Sequence, residues 1–155
     1  MLRGVFVSLL VIIFISLGVF SLADRQIPAT FFGSHEISSP SDWIQENQIQ
    51  VYPNQIILNI DNATWASFTD TNSMDPFLDA ESNAIEIKPS SAEQINVGDV
   101  ISYRTSYATI IHRVIEKGTD EQGLYFIVKG DNNKLKDPQK VRFEEIKGVV
   151  VAIIY

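Results

Sequence analysis

The chain has 155 residues, room for one ordinary domain, and carries a formal net charge of −7 with two histidines and no cysteine. Acidic chains are poor partners for phosphate backbones, which argues against nucleic acid. Without cysteine there are no disulfide staples, thiolate metal sites or thiol nucleophiles, and His35 and His112 alone cannot build a multi-histidine metal centre.

Gly4–Ala23 is an uncharged stretch of 20 residues, 15 of them apolar and the rest Gly or Ser. At about 1.5 Å per residue, a helix of that length crosses the roughly 30 Å hydrocarbon core. Residues 1–23 are therefore expected to be a transmembrane anchor. Arg3 and the free amino terminus favour a cytoplasmic N-terminus, which exports the rest of the chain. A cleavable signal peptide competes with this reading, because Ser21-Leu22-Ala23 has a small-x-small form. Either way the remaining 132 residues lie outside the cytoplasm.

Residues 24–48 read as a juxtamembrane linker with a short helix. Ser39-Pro40-Ser41-Asp42 has a capping residue, a proline at the first position and an acid three residues after the cap, so one or two helical turns are expected there. Residues 49–155 read as a β-rich domain. Short runs rich in Val, Ile, Tyr, Phe and Trp, punctuated by Pro, Asn, Gly and Asp, predict strands at Ile49–Tyr52, Gln55–Asn59, Thr64–Phe68, Ala84–Ile87, Asp99–Tyr103, Thr109–Glu116, Leu124–Lys129 and Gly148–Ile154. Gly118–Gly123 is read as a hairpin loop. The expected class is mainly β: an antiparallel domain, coiled or partly closed so that its edges are protected.

Three segments carry chemistry. They are Thr71-Asn72-Ser73-Met74-Asp75-Pro76, Ile111-His112-Arg113-Val114, and Lys129-Gly130-Asp131-Asn132-Asn133 followed by Asp137. A serine hydroxyl is a weak nucleophile and needs a base within hydrogen-bond reach. Histidine is the usual base, and an acid on its far ring nitrogen fixes the tautomer. Taken singly, each residue also has an ordinary structural reading: Ser73 and Asp131 as turn residues, His112 as a core histidine, Asp137 as a turn opener before Pro138.

Ser73-Met74-x-Pro76, Gly98-Asp99, His112-Arg113-Val114 and Gly130-Asp131-Asn132-Asn133, in that order behind an apolar N-terminus, resemble type I signal peptidases of the archaeal and endoplasmic-reticulum branch. The resemblance covers about half of the chain, from Phe68 to Val151. It implies a serine endopeptidase that removes signal peptides from exported preproteins beside a lipid bilayer, with no metal, organic cofactor or nucleic-acid partner. By the same resemblance Ser73 is the nucleophile and His112 the base, where bacterial relatives use lysine. Asp137 and Asp131 are the candidate acids, with Asp137 favoured as the direct partner of His112. The Ser73 backbone N–H and Thr71 would hold the oxyanion, and Met74 and Pro76 would lie against substrate. Ile49–Phe68 has no counterpart in the motifs. An alternative is a non-catalytic exported β domain acting as a binding or assembly factor.

Overall fold

The computed structural model describes residues 36–155. The expected anchor at 1–23 and most of the linker lie outside the described residues. Among the described residues no helix is long and apolar enough to cross a membrane.

The fold is mainly antiparallel β, and the helical content among the described residues is three single 3₁₀ turns at Glu46–Gln48, Ala92–Gln94 and Phe143–Glu145. The strands are β1 (Ile49–Tyr52), β2 (Gln55–Leu58), β3 (Ala63–Ser67), β4 (Asn83–Ile87), β5 (Val100–Arg104), β6 (Thr109–Asp120), β7 (Gly123–Lys129) and β8 (Ile146–Ile154). β1 and β2 form a separate two-stranded sheet, and the others form a six-stranded sheet in the order β3-β4-β8-β5-β6-β7. β3 and β7 are the two ends of that order, so of the two forms expected, coiled or partly closed, the hydrogen-bonded ladder is not the closed one. Edge protection comes from another source. Phe126 and Val141 exchange both backbone hydrogen bonds, at 2.9 and 2.8 Å, and Asp137 N–H donates to Val128 O at 2.9 Å. The segment from Asp137 to Val141 thus covers the outer edge of β7.

Successive residues point to opposite faces of a strand, and both faces of the central sheet are buried. One face carries Ile101, Val114, Phe126, Val128 and Val149, with Ile95, Val141 and Ile146 packed on it. The other carries Ala84, Val100 and Val150 against Met74 and Leu78. Each of these side chains larger than alanine contributes about 1.5–3 kcal/mol on burial, and that is what positions β5, β6 and β8 under the site.

Two local expectations are corrected. No helix starts at Ser39–Asp42, and the first helical turn among the described residues is Glu46–Gln48. The Ser41 N–H that a helix would have used donates instead to buried Asp99, at 2.7 Å from Oδ1, while Asn96 Nδ2 donates to Ser41 Oγ at 3.2 Å. This segment is a strap closed onto the domain. It crosses Gly98, whose φ of +105° and close approach to the Ser39 carbonyl leave no space for a Cβ. The second correction concerns the loop expected at Gly118–Gly123. β6 continues to Asp120, and the pairing of Asp120 with Gly123 leaves only Glu121 and Gln122 as the turn. Gly123 at φ +99° makes this tight reversal possible.

Candidate active site

Ser73 stands at a backbone reversal. Asn72, one residue before it, has φ +53°, a left-handed conformation that asparagine tolerates better than most residues. On the other side Met74 accepts backbone hydrogen bonds from Phe77 and Leu78 at 3.0 and 3.1 Å, closing a tight loop. Met74 and Leu78 are buried in the core. Ser73 is therefore a half-buried residue mounted on a packed one.

The Gly130–Asn133 loop holds this turn from outside. Asn132 N–H donates to Ser73 O at 3.0 Å, and Asn132 Nδ2 donates to Asn72 O at 2.9 Å. Asp131 N–H points to Met74 Sδ at 3.4 Å. Gly130 is the point of closest approach: a Cβ built there would sit 2.5 Å from Ser73 O, 2.7 Å from Asn133 Nδ2 and 2.9 Å from His112 Nε2. The serine turn and the histidine ring thus both approach the same glycine, although 39 positions separate them in sequence.

His112 lies on β6 opposite Ile101 and is 6% exposed. Its Nδ1 is 2.9 Å from both carboxylate oxygens of Asp137. Tyr103, two residues along β5 from Ile101, donates its buried hydroxyl to Asp137 Oδ2. Burial, reinforced by the bond to Asp137 and by that carboxylate's charge, raises the Tyr103 phenol above its ordinary range, so it stays a donor. With Nδ1 occupied by Asp137, Nε2 is the nitrogen that lies beside Gly130.

Asp131 does not touch the ring. Both its oxygens are taken by Arg113, at 2.8 Å from Nε and 2.6 Å from NH2. Arg113 also donates to Gly98 O at 2.8 Å and to Ser38 O at 3.4 Å. That single guanidinium joins the Gly130–Asn133 loop, the Gly98 turn and the N-terminal strap.

The Ser73 hydroxyl and Thr71 Oγ1 are 3.2 Å apart, and among the described residues this is the hydrogen bond that Ser73 Oγ makes. Thr71 therefore partners the candidate nucleophile itself, in addition to standing where an oxyanion donor was expected. Ser73, Thr71, Met74, His112 and Asn133 line one cleft of about 760 Å³. Pro76 does not line it; it lies exposed in the loop between Met74 and Leu78. The cleft runs between two strand segments with a free side. Thr64–Ser67 belong to β3, the end of the sheet order, and Thr109–His112 pair only with β5, because β7 joins β6 from Arg113 onward. Both line the cleft, so an extended peptide can add its backbone to either.

Sequence reasoning missed Tyr103 and also Glu86. Glu86 lies on the cleft floor with Ser102, whose hydroxyl donates to Glu86 Oε2 at 2.9 Å, and with Gly148 across from it. Oε1 is buried and has no protein partner among the described residues. Burial raises the Glu86 carboxyl above the ordinary carboxylate range, partly opposed by the Ser102 hydrogen bond and the charge of Lys147. An acid sharing a strand face with Ala84, in the run Asn83-Ala84-Ile85-Glu86-Ile87, was the available signal. Among the described residues no three His, Asp or Glu side chains gather as a metal cage.

Comparison with known proteins adds one partial match. A stretch of 44 residues, 28% of this chain, is 46% identical to part of an uncharacterized protein of Methanocaldococcus jannaschii, and it spans 22% of that protein's length. No family model matches the chain.

Proposed function

We propose that this protein is a membrane-anchored serine endopeptidase that cuts signal peptides from exported preproteins. The observation that carries the reading is the arrangement around Gly130: His112 bound to Asp137 through Nδ1, with Nε2 and the Ser73 carbonyl both close against that one glycine. The order of the four motifs supports the same reading.

In this mechanism His112 Nε2 takes the proton of Ser73 Oγ as the oxygen attacks the scissile carbonyl. The Ser73 hydroxyl turns from Thr71 toward Nε2 when substrate enters; catalytic hydrogen bonds commonly tighten only in the complex. Asp137 stabilises the imidazolium without taking its proton. The Ser73 N–H and the Thr71 hydroxyl hold the oxyanion, each donor contributing about 3–4 kcal/mol in the transition state. His112 then protonates the leaving amine, and water, deprotonated by the same ring, releases the acyl group from Ser73. The substrate lies extended along β3 or along Thr109–Ile111 with small side chains toward Met74. Asp131 and Arg113 position the loop and take no part in proton transfer. The catalytic domain lies on the extracytoplasmic side, where precursors emerge beside the lipid.

The test is cleavage of a signal-peptide-bearing precursor by the full chain in lipid vesicles. Ser73→Ala and His112→Ala should each lower the rate by about 10⁴-fold or more, with the circular dichroism spectrum unchanged. Near wild-type cleavage by either variant overturns the assignment. Precursor capture without turnover by the wild-type chain would favour a binding domain, consistent with the Ser73–Thr71 hydrogen bond.

A further inference from the structure

The two-stranded sheet has a face that the proposed chemistry does not use. Its register sets Ile49 opposite Leu58 and Val51 opposite Ile56, so these four aliphatic side chains share one face. The other face carries the pairs Gln50–Ile57 and Tyr52–Gln55. Three of the four stand open, Val51 at 73% exposure, Ile56 at 67% and Ile49 at 43%, and Leu58 at the end of the strand is half-buried. A two-stranded sheet alone is marginal in water, and a contiguous apolar patch marks a surface that something covers.

The chemistry of the patch selects its occupant. Residues 49–60 contain no Asp, Glu, Lys or Arg, in a chain that is 20% charged. The face has no Trp or Arg of the kind that dominates protein–protein hot spots, and no charge to set a partner's register. Saturated side chains without charge fit lipid. Tyr52, at the turn, has the apolar body and polar tip suited to the headgroup level. Only 25 residues separate Ala23 from Ile49. Such a segment, at most about 90 Å when fully extended, keeps the hairpin near the bilayer that the uncharged stretch would enter.

We propose that the Ile49, Val51, Ile56 and Leu58 face of the hairpin docks into the interfacial layer of the bilayer. The free strand edges stay at the hydrated headgroup level, where water satisfies them. The inference rests on residues 4–23 being embedded in lipid and is independent of the peptidase chemistry.

Because the chain lacks cysteine, single substitutions accept one fluorescent label each. Val51→Cys, Ile56→Cys, Ile12→Cys and Glu121→Cys would be labelled in the full chain and reconstituted into phosphatidylcholine vesicles. Lipids brominated on the acyl chain report lipid contact, and iodide reports water contact. Labels at 51 and 56 should be quenched by the brominated lipid, and should be about threefold less accessible to iodide than the label at exposed position 121. Quenching at 12 with wet labels at 51 and 56 overturns the docking and leaves the embedded segment standing. No lipid quenching at any position overturns both. Shielding from iodide without lipid quenching means that protein covers the face, and it also overturns the proposal.

Discussion

Asp131 closes both carboxylate oxygens on Arg113, the residue next to His112, and makes no hydrogen bond to the imidazole. The two acids therefore divide the work, one gripping the loop and the other the ring. Asp137→Asn should keep the fold and lower cleavage by about 10³–10⁴-fold, because the amide no longer favours the needed tautomer. Asp131→Asn should act on stability. The Arg113 and Asp131 side chains are only 9% and 4% exposed, and breaking such a pair costs about 3–5 kcal/mol. Thermal unfolding and single-turnover cleavage, measured on both variants, separate the two effects.

Tyr103→Phe removes the hydroxyl that donates to Asp137. A hydrogen bond to a carboxylate is worth about 1.5–3 kcal/mol, and its loss leaves the Asp137 carboxylate less firmly held against the ring. Single-turnover cleavage at neutral pH should fall by about tenfold with the circular dichroism spectrum unchanged. Unchanged kinetics would show that the phenol only fills space.

Gly130→Ala tests the meeting point of turn and ring. The new methyl would stand 2.5 Å from the Ser73 carbonyl and 2.9 Å from His112 Nε2. One of these contacts is with backbone, so the loop must shift, and displacements of about 1 Å at a catalytic group can cost 10²-fold in rate. Cleavage should fall by about that factor while the chain still folds. Unchanged kinetics would mean that the loop does not set the geometry.

Glu86→Gln tests the cleft floor. The folded-state carboxyl is raised by burial, so the native state favours its protonated form. That stability is present below the ordinary carboxylate range and is lost as the pH rises through the raised value. The glutamine variant should therefore melt higher than wild type at pH 7. Its advantage should shrink as the pH falls toward 4. Melting curves across that range check the sign.

Much of the sheet was legible because its strands alternate or run apolar between strong punctuation. Val100-Ile101-Ser102-Tyr103 reads as a strand, and its two parities bury on opposite faces. Ser39–Asp42 carries real cap chemistry, yet Asp99, 58 positions from Ser41, captures the backbone first. No local pattern announces a competitor so distant. Tyr103 shows the same limit from the other side. In a strand it reads as an ordinary aromatic, and only the packed structure brings its hydroxyl to Asp137. The open ladder was also illegible, since the guard on β7 is a segment without secondary structure whose partner, Phe126, looks like any core residue.

The Asp137–Val141 guard has a consequence for how damage would present. One short run supplies the ring's acid at its start and blankets a pairing edge along its length. Displacing it would silence chemistry and bare a sticky margin together, so inactive protein would also clump. Injury at Ser73 would leave that margin covered, and the product would be inert but well behaved.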